Sequence, residues 1–432
     1  MTFRKRAGGA VGLGTACIGL LLGGAARAQN APAQQPAQQP AAQPAPAAAE
    51  AAPTPAATWQ SSIKLSAQIE GGVSFNPAGP STNFGQLLTD HANQAQLNQV
   101  LLTAERDIDT KNTGWDVGFK FQALYGSDGR YTQYLGEFNR VSTNRYQFEI
   151  LEANATIHIP LLTEGGTDLK FGQFTSPLGT ETIEPSANPF YSHSYIFNFG
   201  VPFVQTGGYA TIHATPFLDV YLGGDTGVNT TFGGGDNNSA GAVMFGFGLN
   251  LLDGNLTVLA LSHIGPENPS LTVPNANHFK RYLNDAYAIY KPTDKLTLTT
   301  ELNYIRDDFA HADGYGAAQY ASYALTDQLR LNGRAEVWRD NKGFYVTAFP
   351  GNRDFINAEA GLPATVISAP QTTYGELTVG VTYKPAGLPA PISGLLIRPE
   401  LRYDHSLNGT KPFNSGKDPG SFTIASDFVL TF

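Results

Sequence analysis

The segment Phe422-Thr423-Ile424-Ala425-Ser426-Asp427-Phe428-Val429-Leu430-Thr431-Phe432 decides how the rest of the chain is read. Phe422, Ile424, Phe428, Leu430 and Phe432 share one parity, whereas Thr423, Asp427 and Thr431 share the other. A period of two with one apolar and one polar face is the pattern of a β-strand between two different environments.

The same pattern recurs upstream. In 115–125, Trp115, Val117, Phe119, Phe121, Ala123 and Tyr125 lie on one side, opposite Asp116, Gly118, Lys120 and Gln122. In 328–338, Leu329, Leu331, Gly333, Ala335 and Val337 oppose Arg330, Asn332, Arg334, Glu336 and Trp338. In 397–404, Ile397, Leu401 and Tyr403 oppose Arg398, Glu400, Arg402 and Asp404. The parity changes within 146–159, between Ile150 and Ala153, which a β-bulge or a misplaced strand explains equally. The stretch 281–290 shows no clear apolar face.

About sixteen strand candidates follow Trp59, and their connections sort by length. Short links are expected near 109–114, 161–167, 215–218, 252–255, 291–295, 325–328 and 384–394. Long links are expected near 77–95, 126–143, 176–199, 228–238, 265–277, 307–315, 341–372 and 407–420. The two classes alternate without exception. Short turns on one side, long loops on the other and an even strand count define an all-β, transmembrane, antiparallel up-and-down β-barrel. A sandwich gives no reason for such sorting. A mid-bilayer Arg or Lys facing lipid costs about 2–4 kcal/mol, so the arginine rows are expected in the lumen. Trp115, Tyr125, Tyr287, Tyr290, Tyr304, Tyr383 and Phe432, near strand ends, are candidates for interfacial aromatic girdles.

Composition agrees. The 432 residues include 47 Gly, 26 Phe and 19 Tyr but one Cys, which suits a barrel whose polar interior dilutes its lipid face. Arg4, Lys5 and Arg6, an apolar run through Leu22, and Ala26-Arg27-Ala28 read as a signal peptide over 1–28. Cys17 lies inside that run without the residue context of a lipoprotein. Cleavage would leave 23 Lys and Arg against 36 Asp and Glu, a net charge of −13, which argues against a nucleic-acid partner. Residues 29–57 are Ala, Pro and Gln with little to bury and read as a disordered periplasmic spacer, ahead of the barrel at 58–432.

No catalytic or metal-binding pattern stands out. His193 lies between Ser192 and Ser194, but there is no G-x-S-x-G elbow, and the eight histidines lack metal-ligand spacing. The run from Asp107 to Gly114 lacks the terminal glutamate of a calcium loop. The expectation is a protein that is not an enzyme and needs no cofactor or metal.

The stretches Phe171-Gly172-Gln173-Phe174-Thr175-Ser176-Pro177-Leu178-Gly179-Thr180-Glu181, Asn188-Pro189-Phe190-Tyr191-Ser192-His193-Ser194-Tyr195-Ile196-Phe197 and Val201-Pro202-Phe203-Val204-Gln205-Thr206-Gly207 resemble the putative β-barrel porin-2 family of bacterial outer-membrane proteins. Leu97-Asn98-Gln99-Val100 and Tyr125-Gly126-Ser127-Asp128 resemble it as well. The resemblance implies an outer-membrane pore, passive diffusion of small hydrophilic solutes or ions, lipid around the barrel, and a homotrimer as one assembly. Phe432 resembles the closing aromatic residue by which such barrels are recognised by assembly machinery. The third long loop in this class folds inward, which here puts Glu181 and Glu184 in the lumen. Opposite them, Lys120, Arg330, Arg334, Glu336, Arg398 and Arg402 would complete the charged lining of a constriction. The competing readings are a structural or adhesion barrel organising the envelope, and a lipid-modifying barrel enzyme.

Overall fold

A computed structural model describes residues 58–109 and 114–432. The expected signal peptide, Cys17 and the Ala/Pro/Gln segment lie outside the described residues, as does much of the first short link. The strands are β1 (Lys64–Phe75), β2 (Gln94–Arg106), β3 (Asp116–Gly126), β4 (Gln147–Ile159), β5 (Thr167–Thr175), β6 (Val204–Thr215), β7 (Leu218–Asp225) and β8 (Ala242–Leu251). They continue as β9 (Leu256–Gly265), β10 (Arg281–Tyr290), β11 (Leu296–Asp307), β12 (Ala312–Ala324), β13 (Leu329–Asp340), β14 (Thr372–Tyr383), β15 (Gly394–Ser406) and β16 (Gly420–Thr431). Each pairs antiparallel with its chain neighbours, and β1 closes on β16 from Gln68 opposite Thr431 to Phe75 opposite Ile424. Closure leaves no unpaired edge, the condition for strands to cross a hydrocarbon layer.

Alternation places the side chains as the sequence patterns predict. Ile424 and Phe428 are exposed outward while Thr423 and Asp427 are buried inward. Leu331, Val337, Ile397, Leu401 and Tyr403 are likewise outside, and Arg334, Glu336, Arg398, Glu400, Arg402 and Asp404 are buried on the other parity. The parity change in β4 is a bulge: Gln122 opposes Glu152 but Ala123 opposes Ile150, which leaves Leu151 as the extra residue.

Three expectations need correction. The link expected over 307–315 is only 308–311, because β11 runs on to Asp307 and β12 starts at Ala312; His311, at φ 48°, makes the tight turn. Loop length therefore does not sort without exception. Tyr287 shares the inward parity of Leu283 and Asp285, so it is not a girdle residue. The same parity orients β10: Leu283 and Ile289 point in, and Tyr282, Asn284, Ala286, Ala288 and Tyr290 point out. Its outer face is short and partly polar, which is why no apolar stripe was legible.

The interior is not uniformly wet. Leu101, Leu124 and Leu151 form an inward apolar cluster with Tyr131 and Tyr134 of the second long loop, L2 (127–146), and Ile183, Phe197 and Phe203 of the third, L3 (176–203). The other long connections used below are L4 (226–241), L5 (266–280) and L7 (341–371).

Candidate functional site: a loop fastened across the lumen

L3 leaves β5 and returns to β6, yet its partners lie on β13, β14 and β15, half the ring away, and on β1 and β11. The reason is visible in its backbone. L3 is mostly irregular, so its N–H and C=O groups need partners that no strand ladder supplies. Charged wall residues provide them. The amides of Tyr191 and Ser192 donate to Glu400 at 2.9 and 3.2 Å. Those of Tyr195 and Ile196 donate to Glu336 at 2.7 and 2.9 Å. Thr180 N–H donates to Glu301 at 2.8 Å.

The arginines bind the carbonyls. Arg398 donates to the C=O of Pro185 at 2.7 Å and of Asn188 at 2.8 Å. Arg334 donates to Ser192 C=O at 2.9 Å, and Arg402 to His193 C=O at 2.5 Å. Each guanidinium also has carboxylate partners: Glu376 for Arg334, Asp404 for Arg402, and Asp427 with Glu70 for Arg398. Such charge-assisted bonds are stronger than neutral ones, and a buried charge tolerates its site only when so surrounded. Gly72 on β1 completes the seat. A Cβ there would lie 2.6 Å from the ring of Tyr191, whose hydroxyl donates to Asn98 at 2.8 Å.

Of the two loop acids, Glu181 pairs with Arg334 at 2.8 Å and with His193 Nδ1 at 2.7 Å. Burial acts to raise its carboxyl, but Arg334 and His193 outweigh burial and hold it at about 2. Burial keeps His193 below its ordinary value despite the adjacent carboxylate. Glu184 takes a different position. It accepts from Gln68 at 2.5 Å and lies 3.9 Å from Lys120, which itself pairs with Glu152 at 3.1 Å. The side chains of Lys120 and Glu184 are 25% and 34% exposed, whereas those of Glu181, Arg334, Arg398 and Arg402 are 3% or less. The predicted residues therefore divide into a buried clasp and an accessible contact. Arg330 joins neither; it lines a cavity of about 290 Å³ with Thr180, Glu181 and Asn188 of L3 and Tyr320 of β12.

Wall acids that sequence reasoning did not single out belong to the clasp as well: Glu301 accepts from Thr180 of L3, and Glu70 and Glu376 pair with Arg398 and Arg334. Their signal was the inward parity of a charged residue in a membrane strand. A second cavity of about 280 Å³, lined by Lys120, Asn154, Asp168, Lys170 and Tyr209, lies against β3–β6. Among the described residues no cluster of side chains fits a metal ion.

Several solved structures share this architecture. The outer-membrane channel DcaP of Acinetobacter baumannii aligns with a TM-score of 0.52 and 12% identity over 86% of this chain and 97% of its own. Salmonella typhi OmpF, solved with daunomycin, aligns with a TM-score of 0.53 and 12% identity over 86% and 97%. Pseudomonas putida OprB, in a high-pH structure, aligns with 0.50 and 14% over 86% and 94%. No curated protein sequence matches the chain. The model of the family described as putative beta-barrel porin-2, OmpL-like, matches residues 62–432. With a closed sixteen-stranded wall and that match over most of its length, the chain belongs to the putative β-barrel porin-2 family of outer-membrane porins.

Proposed function

We propose that the protein is a passive channel for small hydrophilic solutes whose path runs between L3 and the wall of β2–β6, with Lys120 and Glu184 as its charged gate. The observation that carries this reading is the contrast within one ion network. The clasp on β13–β15 is buried, while the 3.9 Å contact between Lys120 and Glu184 is accessible to water. A loop fastened on one side and water-accessible charges on the other make a narrowing that passes solutes rather than a plug. A sixteen-stranded wall encloses enough room for such a path.

In this reading 1–28 direct export, 29–57 form a spacer and 58–432 form the barrel, with Phe432 offered to the assembly machinery. Lipid surrounds the outward residues, and a homotrimer is the proposed assembly. The test is single-channel recording from the folded protein with sugars of graded size. Openings with a sharp size limit support the proposal. Folded protein that never opens would transfer support to a structural or adhesion barrel.

A further inference from the structure

A third cavity, of about 370 Å³, lies at the long-loop end between L3, L4, L5, L7 and the ends of β10 and β11. Its wall is mainly apolar and includes the rings of Phe203, Phe344, Tyr345, Phe349 and Phe355; Phe349 and Phe355 meet edge to face at 5.2 Å. Two carboxylates, Glu267 and Glu359, line it as well. The one guanidinium in the lining, Arg281, is paired with Asp307 at 2.9 Å, so it offsets the two cavity carboxylates only in part. Glu267 is 4% exposed. Its Oε2 accepts from Val228 N–H at 2.8 Å, but its Oε1 has no hydrogen-bond partner; the imidazole Nδ1 of His263, also unbonded, is 3.7 Å away. A buried carboxylate oxygen without a donor, in a cavity that aromatic rings also line, is the complement of a positive charge on an apolar body.

We propose that this cavity binds an organic cation with an aromatic body, of the arylalkylammonium class, before it reaches L3. The ammonium faces Glu267 and Glu359, and the ring packs among the phenylalanines. Anions of the same shape meet a surplus of carboxylates and are rejected.

The test is calorimetry on the full-length folded protein in detergent, which reads binding without requiring passage, so a sealed barrel would not obscure the result. Phenethylammonium, phenethyl alcohol, ethylammonium and phenylacetate are titrated at pH 8. Phenethylammonium should bind about tenfold more tightly than the alcohol or ethylammonium, the worth of one desolvated cation–π or charge contact, and phenylacetate should not bind. Glu267→Gln should lose about the same tenfold, and Ala358→Phe, which fills the cavity from L7, should abolish binding. The ligand order on the unmodified chain decides the matter without either variant. Phenylacetate or the alcohol binding as well as the amine would overturn the proposal, as would folded Glu267→Gln and Ala358→Phe proteins that both bind like the parent.

Discussion

Glu181, on the loop leaving β5, and Arg334, on the strand half a circumference away, form a buried ion pair at 2.8 Å. The pair ties together two parts of the barrel that the strand ladder joins only through seven intermediate strands. Removing Arg334 takes the shared guanidinium from between Glu181 and Glu376, leaving His193 beside the first and Arg402, at 4.0 Å, beside the second, and frees the carbonyl of Ser192. Arg334→Met is expected to destabilise the seated loop by about 3–5 kcal/mol. Limited proteolysis within 176–203 and urea-induced unfolding would show it, and a variant whose loop stays as protected as the parent's would count against the clasp.

Acid should release the loop in a defined sense. Glu181 titrates near 2 when folded against an ordinary 4.5, so its contribution is present above about 4.5 and is lost as pH falls toward 2. His193, also lowered from its ordinary 6.5, acts in the same direction: its contribution is full above that value and declines as the buried ring is forced to take a proton. Channel conductance or loop proteolysis measured from pH 7 down to 2.5 should show loosening on the acid side. Glu181→Gln should flatten the lowest part of that profile.

The Lys120–Glu184 contact is expected to govern ion choice. Glu184→Gln should shift the reversal potential toward anions and Lys120→Ala toward cations, with larger conductance in the second case because the bridge to L3 is gone. Both shifts should shrink between 0.1 M and 1 M salt, where the screening length falls from about 10 to 3 Å. Arg398→Gln, in the buried clasp, should alter loop stability more than selectivity. Equal selectivity changes from the two sites would contradict the division into clasp and gate.

The outer face carries its own prediction. Ile424, within β16 and 44% exposed, points outward from the barrel, and Ile424→Arg is expected to cost about 2–4 kcal/mol on insertion into a bilayer. Its neighbour Thr423 points inward, so Thr423→Ser should leave insertion unchanged. Refolding yield into lipid vesicles measures both.

The cavity lined by Glu267 gives a pH dependence as well. Burial, partly offset by His263 and Arg281, pushes Glu267 up to about 7. The groups facing it are His263 of β9, Asp225 of β7 and Arg281 of β10, with Val228 N–H from L4, while Glu359 of L7 faces the same Arg281. An organic cation favours the ionised carboxylate, so its affinity should rise between pH 6 and 8. A flat profile would mean that Glu267 does not face the ligand.

Much of the fold was legible because a strand between lipid and water writes its orientation at every second residue. The β16 pattern from Phe422 to Phe432 and the arginine rows of β13 and β15 follow from parity, whereas the parity change in β4 left a bulge and a misplaced strand both open until the pairing showed the bulge at Leu151. Parity failed at β10, where the outer face is Asn284, Ala286 and Ala288, and at the link after Asp307, where β11 and β12 extend beyond the expected loop. The site was half legible. Parity sent Arg334, Arg398 and Arg402 inward, but it carries no information about what stands opposite them.

The sequence by itself determined a membrane-spanning antiparallel wall, its inside and its outside, because one-residue alternation is a local property and the cost of a charge in lipid acts on each residue separately. Only the tertiary structure decided that Arg334 meets Glu181, that Arg398 and Arg402 grip loop carbonyls, and that Glu184 meets Lys120 in reach of water. Those contacts depend on closure of the ring and on the path of an irregular loop across it, and the irregular backbone goes where its unpaired amides and carbonyls find partners.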